Sequence, residues 1–91
     1  MLSEEQLTEL ENMGAVFFSV KECALVLQVD AHALSCAIER EDSPEHVAFH
    51  CGRLRSEFEV RKAVLKASKQ GSSPAQVLAL QLIKQYNVGH A

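Results

Sequence analysis

The sequence predicts an all-α fold in which five helices form a single domain, with a helix-turn-helix followed by a long helix. Three observations support this prediction. The chain has only 4 glycines and 2 prolines and is rich in helix-forming residues. Helix-capping residues recur along it, each followed by apolar residues at helical spacing. A chain of 91 residues supports one core rather than two, so we expect one domain over residues 1–91.

The first three helices are predicted from capping residues that precede an apolar periodicity. The predicted caps are Ser3, Ser19 and Asp30. The corresponding helices run over residues 4–13, from Ser19 to near Gln28, and over about residues 31–41. Gly14 is expected to end the first helix, and we interpret the apolar segment 15–18 as a buried link to the second.

The last two helices begin with the same signal, a serine followed by proline at the first helical position. Ser43-Pro44 predicts a long helix over residues 44–69, which Gly71 ends. Ser73-Pro74 predicts a C-terminal helix over residues 74–86, with frayed residues after it.

Residues 19–41 have the spacing of a helix-turn-helix. The small residue Ala24 is placed where the two helices would cross, and Gln28 stands at the turn position where glycine is commonest. Apolar residues would fill the space between the two helices and pack the second against the first. They are Leu27, Val29, Leu34 and either Ala37 or Ile38. A plain helical hairpin gives the same pattern and is the alternative interpretation.

If the second helix of this motif reads DNA, the residues nearest the bases are His32, Ser35 and Glu39. The outward face contains no Arg, Lys, Asn or Gln to make bidentate base contacts. We therefore expect weak recognition by a single copy. Several copies on one DNA molecule would add avidity without new contacts.

Charge is distributed unevenly along a chain whose formal net charge is −3. Residues 1–45 carry ten acidic and two basic side chains, and residues 46–91 carry seven basic and two acidic ones. This polarity indicates either an anion-binding face or head-to-tail association of acidic and basic ends.

The long helix carries the best candidates for phosphate contact. Four basic residues fall within about 60° of one another on its helical wheel: Arg55, Lys62, Lys66 and Lys69. A solvated charged face is the alternative. The same helix has two apolar faces, both of which we expect to be buried, by other helices or by a neighbouring subunit. Gly52, in its middle, predicts the close approach of another helix.

A family resemblance rests on the segment that follows the helix-turn-helix. Its features are Phe49, Gly52, Leu54, the stretch 57–63, Ala67, the break at 71–75, and Leu78, Leu80 and Leu82. With residues 19–41, this segment resembles bacteriophage terminase small subunits and related phage-type DNA-binding proteins. The resemblance implies that residues 30–39 face DNA. It also implies a ring or other oligomer that recognises viral DNA for a large terminase subunit.

No residue pattern indicates a catalytic site or a cofactor. His46 and His50 share a helix face, and Cys51, Cys36 or Cys23 could add sulfur, but the sequence has no Cys-x-x-Cys pair. We therefore expect no metal site. A cysteine nucleophile with His50 or His32 as its base is disfavoured, because nothing in the sequence would orient the base. We expect three reduced, mostly buried thiols.

These observations predict a non-enzymatic, cytoplasmic protein that binds double-stranded DNA as a homo-oligomer. No apolar segment has the length of a membrane span, and the first residues are acidic where a signal peptide would be basic. The alternative is a helical protein-interaction module that oligomerises without binding DNA.

Overall fold

A computed structural model describes residues 1–90, and describes side chains for residues 1–86. These residues form five helices and no strand: α1 (Glu4–Ala15), α2 (Val20–Leu27), α3 (Ala31–Glu39), α4 (Pro44–Lys69) and α5 (Ser73–His90). The predicted all-α fold is therefore confirmed. None of the described helices combines the length and the apolar character needed to cross a membrane.

The first three helices begin at their predicted caps. The Ser3 hydroxyl accepts the Gln6 backbone N–H at 3.1 Å, while the Gln6 side chain accepts the Ser3 N–H at 3.0 Å. Ser19 and Glu22 form the same reciprocal pair at the start of α2. Asp30 caps α3 through its carboxylate. Each cap satisfies backbone donors that the first helical turn leaves unpaired.

Several local details differ from the sequence predictions. Helix α1 continues through Gly14 to Ala15, and α5 begins at Ser73 and continues to His90. Ser72 rather than Ser73 supplies the hydroxyl that accepts the Ala75 N–H, at 3.4 Å. The expected buried link is wrong, because Val16, Phe17 and Phe18 are all exposed.

The chain forms two compact units, Met1–Ser56 and Glu57–Ala91. The first unit contains the hydrophobic core, to which α1, α2, α3 and the first part of α4 all contribute. Its buried members are Leu10, Met13, Cys23, Ala24, Leu27, Leu34, Ile38 and Phe49. A core drawn from four helices holds each of them in place within this unit.

Two glycines let α1 and α4 approach closely within the first unit. A Cβ atom added to Gly52 would overlap the Glu11 carbonyl oxygen, and one added to Gly14 would crowd the Phe49 carbonyl. The Ser56 hydroxyl also donates to the Ala15 carbonyl at 2.5 Å. The close approach predicted at Gly52 is confirmed, and the contact with Phe49 accounts for a glycine at position 14 inside α1.

The second unit contains the last part of α4 and α5, joined at Gly71. Gly71 has φ 97°, a left-handed conformation that glycine adopts without a steric penalty. The Gly71 and Ser72 N–H groups donate back to the Ser68 and Ala67 carbonyls, which closes the end of α4. In the part of this unit that the structure describes, the buried apolar side chains are those of Ala75 and Ala79.

Candidate nucleic-acid interface

The connection between α2 and α3 is a three-residue turn, from Gln28 to Asp30. Gln28 adopts the left-handed conformation, with φ 57° and ψ 44°. Its N–H donates to the Leu25 carbonyl at 3.4 Å, and the Val29 N–H donates to the Ala24 carbonyl at 3.0 Å. This is the hydrogen-bond pattern of a Schellman turn, which usually has glycine at the left-handed position. A helix-turn-helix joins its helices by a turn of three or four residues that often contains glycine. The turn here has that length, and its left-handed residue is glutamine.

The predicted contacts between α2 and α3 are present. Ala24 is 2% exposed and Leu27 is buried on α2, and Val29 packs against the core from the turn. On α3 the buried residues are Leu34, Ala37 and Ile38. The sequence analysis predicted that either Ala37 or Ile38 would pack against α2, and both are buried. The side chains buried between α2 and α3 are therefore those that the sequence analysis predicted.

The predicted base-proximal residues lie on the outward side of α3. His32 and Glu39 are exposed and Ser35 is half-buried. Cys36, also exposed, places its Sγ 3.7 Å from the His32 Nε2. This face is therefore accessible to a large ligand, and between residues 31 and 39 it has one carboxylate and no lysine or arginine.

A hydrogen-bond junction that the sequence analysis missed fixes the end of α3 to the start of α4. The Ser43 hydroxyl donates to the Ala37 carbonyl at 2.5 Å and accepts the His46 N–H at 3.0 Å. The His46 Nδ1 lies 2.7 Å from the Ile38 carbonyl, which only accepts, so Nδ1 carries the proton. Side chains at and just before the start of α4 thus bond to two carbonyls at the end of α3, of which that of Ala37 also accepts the Arg40 N–H at 3.3 Å. The Ser-Pro signal predicted the cap at Ser43, but not the bonds to α3.

A second cluster lies further along α4 in the first unit. The rings of His46 and His50 are 4.4 Å apart, and an Arg53 guanidinium nitrogen lies 3.4 Å from the His50 Nδ1. Burial, and then the positive charges of His46 and Arg53, lower the pKa of His50. The described residues contain no group of three or more His, Cys, Asp or Glu side chains that could hold a metal ion.

The predicted phosphate-contacting residues are divided between the two units. Arg55 belongs to the first unit and lies 3.5 Å from the Glu11 carboxylate. Lys62, in the second unit, lies 3.2 Å from Glu59 and 4.7 Å from the centre of the Phe58 ring. Lys66 and Lys69 are exposed in the last turn of α4. These exposed ion pairs are worth little energy, so they leave the side chains available to phosphate.

The two units differ in charge. The first carries ten acidic and four basic side chains, a formal charge of −6, whereas the second carries two acidic and five basic ones, a formal charge of +3. The acidic unit is the one that contains α2 and α3. Attraction to an anionic ligand such as phosphate is therefore expected from the second unit rather than from α2 and α3.

Comparisons of the chain with protein-family models, with curated proteins and with solved structures found no match. The resemblance to terminase small subunits therefore depends on the sequence pattern, and the proposed function depends on the geometry described above.

Proposed function

We propose that this chain is a non-enzymatic, helix-turn-helix DNA-binding protein that acts as a homo-oligomer. One observation carries the proposal: a three-residue turn with a left-handed residue joins α2 to α3, with Ala24 buried at the crossing. This arrangement presents the outward side of the second helix for insertion into a major groove. His32, Ser35 and Glu39 are then the residues nearest the bases.

Phosphate contact is assigned in this proposal to Arg55, Lys62, Lys66 and Lys69. The net charge of −6 on the first unit opposes contact with DNA, so the +3 of the second unit supplies the favourable electrostatic energy. Because the α3 face has no residue suited to bidentate base contacts, each copy contributes little sequence preference. Avidity from several linked copies compensates for this weakness.

The exposed apolar side chains of the second unit support self-association. Two helices with only Ala75 and Ala79 buried, in the described part of this unit, exclude little water. Large apolar side chains remain exposed on both helices: Phe58, Val60, Leu65, Val77, Leu78, Leu80, Ile83 and Tyr86. An open groove of about 260 Å³ between these helices is lined in part by Val60, Val64, Leu78 and Leu82. Exposed apolar surface of this kind is typical of an interface between subunits.

In its narrowest form the proposal follows the family resemblance. The chain would be a cytoplasmic, phage-type protein that recognises viral double-stranded DNA and delivers it to a large terminase subunit. This narrower proposal requires, besides DNA binding, that the chain associates directly with a packaging motor. Co-purification of the two proteins in the presence and absence of DNA tests that requirement separately.

A second candidate function is a helical interaction module that oligomerises without DNA. The acidic charge of the first unit and the exposed apolar residues of the second favour it. It differs from the leading proposal in one measurable respect, because its oligomer forms and persists without any affinity for a duplex.

The deciding experiment is a fluorescence-anisotropy titration of a labelled random duplex at about 50 mM and 200 mM salt. The leading proposal predicts micromolar binding that weakens steeply at the higher salt, because counterions are released when phosphates are neutralised. No binding at low salt, together with a defined oligomer in light scattering, would establish the interaction module instead. A strictly monomeric particle in light scattering would contradict the oligomer in both candidates.

A further inference from the structure

Three side chains that can carry positive charge lie on one face of α4 in the first unit. They are His46, His50 and Arg53, which are spaced by four and three residues. We propose that they bind one phosphate-type oxyanion, either inorganic phosphate or a phosphodiester group of a nucleic acid. None of the three belongs to the phosphate-contacting set proposed above. The site does not rest on DNA binding, and only the duplex arm of its test does.

No carboxylate of the described residues neutralises this cluster. The His46 and His50 rings are 4.4 Å apart, and an Arg53 guanidinium nitrogen lies 3.4 Å from the His50 Nδ1. The first unit has ten acidic side chains, yet the ion pairs of the described residues include none of these three groups. Burial, and then the positive charges of His46 and Arg53, lower the pKa of His50, so the members of the cluster repel one another. A bound anion would relieve this repulsion.

Arg53 provides a second observation, which is independent of the contacts within the cluster. Among the described side chains that are not exposed, its Nε is the one buried nitrogen or oxygen atom without a hydrogen-bond partner. A charged group with one desolvated, unpaired edge is costly unless an anion pairs with its remaining donors. Arg53 as a whole is half-buried, so those donors can be reached from solvent. The planar guanidinium matches the geometry of a phosphate group.

The existing hydrogen bonds determine which histidine nitrogens can contact the ligand. Arg53 donates to the His50 Nδ1, so the neutral imidazole of His50 carries its proton on Nε2, which is a donor. His46 donates from Nδ1 to the Ile38 carbonyl at 2.7 Å, and its Nε2 donates to an anion once the ring is protonated. Neither Nε2 is a buried atom without a partner. The oxyanion would therefore be held by Arg53 and by the Nε2 atoms of both histidines, with no covalent step.

The test follows the imidazole groups of the full chain by NMR during a titration with inorganic phosphate. The pH is held at about 7.5, above the ordinary pKa of histidine. A parallel titration with chloride at equal ionic strength measures the effect of screening alone. We expect the His46 and His50 signals to move to a plateau with phosphate and not with chloride. The signal of His32, which is exposed on α3, should not move.

Three variants locate the site. Arg53→Gln should weaken phosphate binding by about tenfold or more, because it removes a charged donor. The matched control Lys21→Gln removes one positive charge from an exposed position of the same unit and should bind like the wild type. Arg53→Lys keeps the charge without the planar donors, so its affinity should lie between those of the wild type and Arg53→Gln. Circular dichroism checks folding, and Arg53→Lys carries the test if Arg53→Gln does not fold.

A short duplex, titrated in the same way, distinguishes the two sources of phosphate. Movement of the His46 and His50 signals with the duplex assigns the site to the DNA backbone, whereas movement with inorganic phosphate alone assigns it to a free phosphate. Two results would overturn the proposal: signals that move with neither ligand, and a folded Arg53→Gln that binds phosphate as tightly as Lys21→Gln. If the anisotropy titration shows no duplex binding, the DNA-binding proposal fails, while the phosphate titration still tests this site.

Discussion

Capping residues mark the helices of both units in the sequence, but tertiary packing stabilises the two units very differently. In the first unit, buried side chains from four helices form the core and two glycines bring α1 and α4 into contact. In the second unit, Ala75 and Ala79 are the buried apolar residues that the structure describes, and large apolar side chains are exposed. Local capping signals specify helices in both units, whereas tertiary burial, which supplies most of the stability, is concentrated in the first.

The largest expected effect compares one leucine from each unit. Leu34 is 0% exposed and Leu80 is 62% exposed. Leu34→Ala should reduce the free energy of unfolding by about 2–5 kcal/mol, because it removes buried apolar surface and leaves a cavity. Leu80→Ala should change the stability of the monomeric chain by less than about 0.5 kcal/mol. Urea unfolding followed by circular dichroism measures both.

The effects of these two leucine substitutions should depend differently on protein concentration. If the chain self-associates through the second unit, the effect of Leu80→Ala should grow as concentration rises, while that of Leu34→Ala should not. Equal effects of the two substitutions at low concentration would show that the units are not stabilised differently.

The next largest effect concerns the contact between α1 and α4. Gly52→Ala places a Cβ atom on the Glu11 carbonyl and should destabilise the chain by about 1–3 kcal/mol, despite the better helix propensity of alanine. The midpoint of urea unfolding should fall. A midpoint that stays constant or rises would mean that α1 and α4 do not approach closely at this position.

Smaller effects of opposite sign are expected at the two turns. Gln28→Gly should stabilise the chain by about 0.5–1 kcal/mol, because glycine adopts the left-handed conformation without a Cβ penalty. Gly71→Ala, at φ 97° in the second unit, should destabilise α5 by a similar amount. Thermal unfolding of the two variants measures the difference. A loss of stability in Gln28→Gly would show that the glutamine side chain stabilises the helix-turn-helix in some other way.

The smallest effect is a pH dependence confined to the first unit. Because the pKa of His50 in the folded chain lies below its ordinary value of 6.5, the unfolded chain binds this proton more readily. The contribution of neutral His50 to the free energy of unfolding is therefore fully present above pH 6.5 and is lost as the pH falls through the pKa of the folded chain. His50→Gln should flatten the stability profile between pH 8 and pH 5, and His32→Gln, at an exposed site, is the matched control. Identical profiles for wild type and His50→Gln would contradict the assignment.

Local patterns in the sequence predicted the helices well. Ser3, Ser19, Asp30 and Ser43 cap helices as expected, because capping depends on residues only three positions apart. The long helix Pro44–Lys69 has the predicted bounds for the same reason. The burial of Ala24, Leu27 and Leu34 between α2 and α3 also followed from local spacing.

Features that depend on distant parts of the chain were not predictable in this way. Helical spacing on α4 indicated apolar faces, but it did not show that Leu54 and Phe58 remain exposed, because only tertiary packing decides which face is covered. The expectation that both faces are buried is wrong for the single chain. The bonds from Ser43 and His46 to α3 were missed for the same reason, and so was the exposure of Cys36.

The central proposal is that this chain binds DNA through the basic side chains of its second unit, and charge reversal there tests the proposal most directly. Lys62→Glu/Lys66→Glu and the control Lys21→Glu/Arg40→Glu change the net charge equally, and only the first pair lies in the second unit and in the predicted phosphate-contacting set. Anisotropy titration of a duplex at low salt should show binding by the wild type and by the control, and none by the first pair. Equal binding by both double variants would contradict the claim.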